Sequence, residues 1–378
     1  MLKACADRAL ACLCTLVAVV VVMASSLPIN AAQAVAGALG RVRWSRALAS
    51  HWWSLLQFMA EVWSDVRISF TGDSIAGSNE CAICISNHSP GIDMLPGICL
   101  AGRAVGAGSV IATIKQSLRY VPGIGWTNYL QGSLFLKRSW TQDRPALGRR
   151  LDSVPRPFWL GIFPEGTRIT PAKRAESQAF AEARGLPRLA NVLVPRTKGF
   201  TFTVQRLRAS LDAVYDITAA YEGSPFYLSD VLLRGRFRTR ALHFHVRRVP
   251  TSQLPSSDAD LEQWLYDAFA QKDALLAHFR MHGYYPGAAV DCPAPALHLL
   301  IRFNAWVLAF AVGLLALGGW SPASIVWAAL SVATIALACR RTYAHVNRRS
   351  VLEEQHGDRA LAEAIPASGR ADPTKKHV

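Results

Sequence analysis

The hydrophobic residues of this chain form two long uncharged stretches, one near each end. No charged residue stands between Arg8 and Arg41, and the segment 9–27 is mostly Leu, Val, Ala and Met. A helix of about 20 apolar residues crosses a bilayer core. The first stretch therefore predicts a membrane helix. A cleaved secretory signal peptide is the alternative, because Lys3 supplies a basic start and Ala-rich sequence follows.

The second uncharged stretch runs between Arg302 and Arg340 and is interrupted by Gly-Gly-Trp-Ser-Pro at 318–322. These residues favour a turn. The pattern therefore predicts a membrane hairpin over residues 300–340 rather than one long span. Arginines follow both stretches closely, and the positive-inside tendency places such flanks in the cytosol. These flanking residues are Arg41, Arg43, Arg46, Arg340 and Arg341.

Between the two stretches, short apolar runs alternate with segments of helical spacing. Runs at 81–86, 158–163 and 191–195 predict buried strands, and 175–183 has a helical pattern. Strands that alternate with helices indicate an α/β fold with a mixed, largely parallel sheet flanked by helices. Functional loops are then expected at the carboxyl ends of the strands.

The same patterns predict five regions. Residues 1–40 are a membrane anchor, 41–230 the main α/β domain, and 300–340 the membrane hairpin. An alternating strand at 241–248 and a capped helix after it predict a small α/β appendage over 231–299. The tail, 341–378, is polar from about residue 351 onward and is expected to be disordered.

Composition and charge narrow the class of protein. The chain of 378 residues is 51% hydrophobic and only 18% charged, which agrees with a membrane component. Its 41 Lys and Arg against 26 Asp and Glu give a net charge of +15. The stretch 137–208 alone holds 15 basic and 5 acidic residues. An anionic partner is therefore expected, either an acidic membrane face or a phosphorylated substrate. We read the basic cluster after residue 340 as a membrane flank and expect no nucleic-acid partner.

One candidate chemical motif is Asn-His-Ser-Pro-Gly-Ile-Asp at 87–93, directly after a predicted strand. A carboxylate five residues beyond a histidine can accept the Nδ1–H bond. Nε2 is then free to act as a general base. No Gly-x-Ser-x-Gly motif is present, which disfavours an α/β-hydrolase. A structural histidine beside a helix-capping aspartate is the alternative.

A second motif, Phe-Pro-Glu-Gly-Thr-Arg at 163–168, also follows a predicted strand. Glycine permits a tight turn, threonine adds a hydroxyl, and arginine can bind a phosphate through two parallel hydrogen bonds. A surface turn with a local ion pair is the alternative. Two adjacent cations, Lys137 and Arg138, follow an apolar pair upstream. Cys81 and Cys84 lack a second pair of ligands, so no metal site is expected.

The order of four motifs resembles the glycerolipid acyltransferase family, which includes the 1-acylglycerol-3-phosphate acyltransferases. The motifs are Asn-His-x4-Asp, Gly-x-x-Phe-x-x-Arg, Phe-Pro-Glu-Gly-Thr-Arg and an apolar segment that ends in Pro195. The resemblance covers roughly residues 20–340. The segments 117–126, 137–140 and 194–200 are similar to the eukaryotic endoplasmic-reticulum branch of the family. That branch carries a C-terminal domain, and residues 246–250 followed by Trp264-Leu265 resemble it.

This resemblance implies a role for each motif residue. His88 is expected to be the general base and Asp93 its orienting partner. The glycerophosphate end of the acceptor is expected to be held by Arg138, Glu165, Gly166, Thr167 and Arg168. Pro195 is expected to shape the acyl-CoA side. Many members have Ser two residues after the histidine, where this chain has Pro90, so no role is assigned to Ser89.

The resemblance also implies the reaction and the partners. The hydroxyl of lysophosphatidic acid attacks the thioester of acyl-CoA directly, with no acyl-enzyme, no metal and no cofactor besides the acyl-CoA co-substrate. The bilayer is the other expected partner, with no obligate protein partner. The expected location is the endoplasmic-reticulum membrane, multi-pass, with the catalytic domain in the cytosol. Three alternatives stay open: another lysophospholipid acceptor (lysophosphatidylinositol or lysocardiolipin), a non-catalytic lipid-binding protein, and a hydrolase that uses His88 with water.

Overall fold

The structure is a computed structural model that describes residues 2–75, 80–137, 139–290 and 296–364. Within these residues, the strands form one eight-stranded sheet in the order β4-β3-β5-β2-β6-β7-β1-β8. The strands are β1 Arg67–Gly72, β2 Cys81–Ser86, β3 Val110–Lys115, β4 Leu134–Leu136, β5 Phe158–Ile162, β6 Ala213–Glu222, β7 Ala241–Pro250 and β8 Ala289–Val290. Strands β2 to β6 are parallel to one another, whereas β7 is antiparallel to β6.

Helices cover both faces of this sheet. They are α1 Leu2–Ala38, α2 Val42–Phe58, α3 Met94–Ala101, α4 Ile124–Gln131, α5 Trp140–Asp152, α6 Pro171–Ala183, α7 Thr197–Leu207, α8 Leu228–Arg234, α9 Asp258–His282, α10 Ala296–Gly318 and α11 Pro322–Ala364. A π-helical turn, Met59–Trp63, continues α2. The α/β architecture with membrane-type helices at both ends agrees with the sequence prediction.

The alternation of side chains along β2 explains why both faces are covered. Ala82 and Cys84 pack in the core beneath α1 and α2, while Cys81, Ile83 and Ile85 pack in the core beneath α7 and α9. A strand that buries both faces reads as a continuous apolar run, as β2 does. The strand predicted at 81–86 is confirmed, and the run at 158–163 contains β5. Since β2 and β5 are adjacent and parallel, their carboxyl ends lie side by side.

Three helical segments are long and apolar enough to cross a membrane: Ala9–Ala38, Ala296–Gly318 and Pro322–Arg348. The last two form the predicted hairpin, whose turn lies at 319–321. The basic end of α11 is fixed to the α/β domain. Arg341 donates to the carbonyl oxygen of Trp63 at 2.7 Å, and Asp65 pairs with His345 and Arg348.

Two elements differ from the sequence predictions. Helix α11 extends to Ala364, so the part of the tail that the structure describes is helical; Leu, Glu, Ala and Arg over 352–364 favour a helix. Residues 365–378 lie outside the described residues. The predicted strand at 191–195 is a loop. Its N–H groups bond to side chains, namely those of Asn191 and Val192 to Asp273 and that of Val194 to Ser177, so no sheet ladder forms.

The C-terminal region that the sequence predicts as an appendage is built into the same sheet. β7 lies between β6 and β1, and α9 packs on the neighbouring face. Lys272 on α9 is fully buried, forms an ion pair with Asp216 on β6, and donates to the carbonyl oxygen of Ile217 at 2.7 Å. Burial lowers the pKa of Lys272, and Asp216 opposes this effect. The buried ammonium therefore ties α9 to the centre of the sheet.

Replacing Lys272 with Met is expected to destabilise the fold by about 3 kcal/mol, because it leaves the buried carboxylate of Asp216 with Arg247 alone as its cation. The midpoint of thermal unfolding in detergent measures this loss. Lys173→Met is the matched control, since Lys173 forms an exposed pair with Glu176 that contributes little. Equal midpoints for the two variants would contradict the assigned role of Lys272.

Candidate active site

The loop after β2 begins with a side chain that extends the sheet. The amide of Asn87 donates to the carbonyl oxygen of Ala219 at 3.0 Å, and the N–H of Ala219 donates to Oδ1 of Asn87 at 2.8 Å. Backbone pairing between β2 and β6 ends at Ser86 and Ile217. Asn87 therefore replaces the next pair of ladder bonds and fixes the point at which the loop leaves the sheet.

His88 and Asp93 form the predicted dyad. Nδ1 of His88 donates to Oδ2 of Asp93, and the imidazole stacks on the ring of Phe163 with centroids 4.6 Å apart. Among the described residues, no group hydrogen-bonds Nε2 of His88. The histidine lines a cavity, and 17% of its side chain is exposed. This arrangement suits a general base, because the carboxylate fixes the tautomer and leaves the reactive nitrogen open.

Two hydroxyls hold the other oxygen of Asp93. The Ser89 hydroxyl donates to Oδ1, and the Tyr221 hydroxyl lies 3.4 Å from the same atom. Burial, reinforced by the charge of Asp93, raises the pKa of Tyr221, so its phenol stays a neutral donor. Tyr221 was not predicted from the sequence; it lies 128 residues beyond Asp93, on β6. No local signal marks it, because only the pairing of β2 with β6 brings it to the loop.

Gly91 fits where no side chain has room. A Cβ at this position would lie 2.7 Å from the carbonyl oxygen of Phe226 and 2.8 Å from Cβ of Pro225. The N–H of the next residue, Ile92, donates to that same carbonyl oxygen at 2.8 Å. The 225–226 backbone therefore supports the His88 loop from the side.

Glu165, from the loop after β5, joins three segments of the site. Its Oε1 accepts the N–H of His88 at 2.7 Å, and its Oε2 accepts the N–H of Leu193 at 2.9 Å. Nearby, the N–H of Ile169 donates to the carbonyl oxygen of His88 at 3.3 Å. Burial raises the pKa of Glu165 to about 8, although the two N–H donors act in the opposite direction. The side chain that the sequence predicts to hold phosphate thus has both oxygens bonded to backbone.

Gly166 adopts a left-handed conformation with φ of +68° and closes the turn after β5. Its N–H donates to the carbonyl oxygen of Phe163 at 3.0 Å. A Cβ here would lie 3.1 Å from Cδ of Arg196, whose own N–H donates to the carbonyl oxygen of Pro164 at 2.8 Å. The turn therefore packs directly against the segment that contains Pro195.

The predicted residues meet at a cavity of about 810 Å³, a size typical of ligand sites. Five of them line it: His88, Glu165, Gly166, Thr167 and Pro195. Apolar side chains form part of its wall, including Leu136, Trp140, Ile162, Phe180 and Leu193. The cavity is also lined by cations that the sequence motifs did not predict, which are Lys115, Lys173, Arg184, Arg196 and Lys198.

Asp93 and the two predicted arginines do not line this cavity. Asp93 lies behind His88. Arg168 is exposed and directly follows Thr167, which lines the cavity. Arg138 lies outside the described residues. Its neighbours Lys137 and Ser139 both donate backbone N–H groups to the carboxylate of Asp143, which lines the cavity.

Comparisons with known proteins find relatives of this chain. A family model described as "Acyltransferase" matches residues 67–222, and one described as "Acyltransferase C-terminus" matches 231–306. 1-Acyl-sn-glycerol-3-phosphate acyltransferase 2 of Brassica napus is 31% identical over 90% of this chain and 91% of its own length. Lysocardiolipin acyltransferase 1 of Mus musculus is 37% identical over 63% of this chain and 64% of its own. The crystal structure of the 1-acyl-sn-glycerophosphate acyltransferase of Thermotoga maritima covers 68% of this chain and 98% of its own, with a TM-score of 0.40 and 14% identity.

These matches define an acyltransferase with its associated C-terminal region. The chain belongs to the glycerolipid acyltransferase family, in the group whose curated relatives are named 1-acyl-sn-glycerol-3-phosphate acyltransferases. The family resemblance inferred from the sequence motifs is confirmed.

Replacing Glu165 with Gln is expected to destabilise the fold by about 1–3 kcal/mol, because the amide nitrogen cannot accept one of the two buried N–H bonds. The pH dependence is also expected to change. The pKa of Glu165 is about 8 in the folded state, against the ordinary 4.5. The contribution of this carboxyl to the free energy of unfolding is therefore full below pH 4.5 and is lost as the pH rises through 8. Thermal midpoints measured from about pH 6 to about pH 9 are therefore expected to fall for the wild type and to flatten for the variant.

The control for this test is Glu176→Gln, since Glu176 forms only an exposed pair with Lys173. Its pH profile is expected to follow the wild type. A Glu165→Gln profile that falls as steeply as the wild type would contradict the assigned pKa.

Proposed function

We propose that this protein transfers the acyl group of acyl-CoA to the free hydroxyl of lysophosphatidic acid, giving phosphatidic acid. One observation carries the proposal. The His88–Asp93 dyad opens with an unoccupied Nε2 onto a cavity whose wall is partly apolar and partly cationic. An acceptor with an acyl chain and a phosphate matches such a wall. The names of the curated relatives support the choice of acceptor.

The dyad supports a direct transfer. Nε2 of His88 takes the proton of the acceptor hydroxyl as the oxygen attacks the thioester carbonyl carbon, and a tetrahedral intermediate forms. The carbon–sulfur bond then breaks, an ester forms, and the CoA sulfur leaves with the proton from the imidazolium. Asp93 stabilises the charged imidazole between the two steps. General-base catalysis contributes about 10²- to 10⁴-fold, and positioning of two bound substrates adds to it.

In this proposal, cations around the site bind the phosphate of the acceptor. Among the described residues, no ion pair is formed by Arg168 or by the cavity-lining Lys115, Arg196 and Lys198, so their charges are available to a ligand. The turn at 166–167 lies between Arg168 and the segment 196–198. We therefore place the anionic end of the acceptor near this turn, with Thr167 as a hydroxyl donor. Arg138 stays part of this proposal on the family resemblance alone.

A second acceptor class is supported by one comparison. The match to lysocardiolipin acyltransferase 1 is as strong in identity as the matches to lysophosphatidic acid acyltransferases. The dyad and the cations serve any lysophospholipid, since each carries a phosphate and a free hydroxyl. Lysocardiolipin or lysophosphatidylinositol is therefore the alternative acceptor.

The membrane arrangement completes the proposal. The three apolar helices hold the protein in a bilayer, where both substrates keep their acyl chains. We propose a multi-pass protein of the endoplasmic reticulum with its catalytic domain in the cytosol, where acyl-CoA is available. The proposed chemistry requires no metal and no bound cofactor.

Microsomes that contain the wild-type chain are expected to acylate lysophosphatidic acid faster than other lysophospholipids when one labelled acyl-CoA is supplied. His88→Ala is expected to lower that rate by about 10²- to 10⁴-fold. His282→Ala is the matched control, because it removes an exposed histidine at the end of α9 that does not line the cavity. Full activity of His88→Ala would refute the base, and a preference for lysocardiolipin or lysophosphatidylinositol would establish the alternative. Labelled fatty acid released without any acceptor would identify a hydrolase.

Arg168→Ala is expected to raise the KM for the lysophospholipid about 10- to 100-fold with little change in kcat, because a charge-assisted bond to phosphate contributes about 1.5–3 kcal/mol. Initial rates over a range of acceptor concentrations measure this. Arg188→Ala removes an equally exposed arginine outside the cavity wall and serves as the control. An unchanged KM for Arg168→Ala would assign the phosphate to the cavity-lining cations instead.

A further inference from the structure

A short helix and the strand-like segment after it form a surface that the proposed reaction does not use. Helix α8 exposes three leucines: Leu228 (55% exposed), Leu232 (53%) and Leu233 (78%). The next seven residues read Arg-Gly-Arg-Phe-Arg-Thr-Arg from 234 to 240. We call residues 228–240 the Leu-Arg surface.

The four arginines of this surface alternate with buried residues. Residues 234, 236, 238 and 240 are exposed, whereas Gly235, Phe237 and Thr239 between them are buried. Among the described residues, three carboxylates lie near these arginines: Asp230, Glu222 and Asp65, whose charge interacts with that of Arg236 and which also pairs with Arg348. Asp230 is 3.7–3.9 Å from Arg234 and Arg238, and Glu222 is 3.8 Å from Arg240 and also pairs with Arg67. The surface therefore keeps a net positive charge.

The position of this surface is fixed by helices of the membrane type. The carbonyl oxygen of Gly235, at the end of α8, accepts bonds from Thr15 on α1 (3.0 Å), from Trp63 (3.1 Å) and from Arg341 on α11 (3.3 Å). A Cβ at Gly235 would lie 3.1 Å from Thr15 Oγ1, so a glycine suits this close approach. Helix α8 is thus held against α1 rather than free to swing away.

The apolar side of α8 is continuous with the apolar surface of α1. Val231 and Leu232 line a groove together with α1 side chains that include Leu13 and Leu16. These two α1 leucines are about half exposed and belong to a segment long and apolar enough to cross a bilayer. Lipid that covers them reaches the leucines of α8 as well. Leucines at the level of the acyl chains with arginines at the level of the headgroups form a typical interfacial anchor.

We propose that the Leu-Arg surface inserts α8 into one bilayer leaflet and binds the headgroups of anionic phospholipids through Arg234, Arg236, Arg238 and Arg240. The partner is the lipid surface itself, because the surface continues a membrane helix and carries the charge opposite to that of an acidic leaflet. This binding is separate from acyl transfer and does not depend on which lysophospholipid is the acceptor.

The test is photocrosslinking of the full-length chain in nanodiscs of phosphatidylcholine with a minor fraction of phosphatidylserine. A photoreactive amino acid replaces Leu233. The experiment has two arms: in one the phosphatidylserine carries a clickable tag, and in the other the phosphatidylcholine carries it. Crosslinks to phosphatidylserine are expected to exceed its mole fraction several-fold. The same photoreactive group at Gln253 is the negative control, since Gln253 follows β7 at the opposite edge of the sheet.

A double variant, Arg236→Gln with Arg238→Gln, tests how much the positive charge contributes to the preference for anionic lipid. It is made in the chain that carries the photoreactive amino acid at position 233. Each arginine near an acidic leaflet contributes about fivefold to local lipid binding, so the double variant is expected to lose at least that factor of anionic preference. Arg149→Gln with Arg188→Gln removes the same charge elsewhere and is expected to change nothing. The proposal is overturned by crosslinks at 233 that go to protein or are absent, and equally by a phosphatidylserine preference that survives the double variant.

Discussion

The site depends on the two backbone hydrogen bonds that the carboxyl group of Glu165 accepts. One oxygen accepts the N–H of His88 and the other accepts the N–H of Leu193, so a single side chain joins the loop after β2 to the loop that leads to Pro195. The second loop has no sheet ladder of its own, and its N–H groups rely on side chains. Burying this carboxyl costs free energy. The cost is offset because the carboxyl pairs two N–H groups that would otherwise be left without hydrogen bonds, which also costs free energy.

The support for these loops comes from the C-terminal region of the chain. On α9, Lys272 holds Asp216 and the carbonyl oxygen of Ile217, while its neighbour Asp273 accepts the N–H groups of residues 190–192. Consecutive residues of one helix thus fix the centre of the sheet and the start of the Leu193 loop. In this chain, the region that matches the acyltransferase C-terminus therefore supports the region that matches the acyltransferase model, and its strand β7 lies in the same sheet.

The membrane helices are attached at the same edge of the sheet as the reactive histidine. The carboxyl ends of β2 and β6 lie at the edge where β1 and β7 begin, and α11 is bonded to the residues just before β1. Under the proposed function, a substrate that keeps its chain in the bilayer approaches the edge that carries His88. The fixed attachment through Trp63, Asp65 and Arg341 makes this geometry a property of the fold.

The amino-acid sequence by itself determined the elements whose signal is local. The apolar run of β2, the turn of the hairpin and the spacing of His88 and Asp93 are each set by neighbouring residues, so pattern and motif sufficed. Only the tertiary structure decided that Tyr221 reaches Asp93, that both oxygens of Glu165 bond to backbone, and that the run 191–195 is a loop. Each of these depends on hydrogen-bond partners from distant strands or helices, and periodicity within a segment carries no information about such partners.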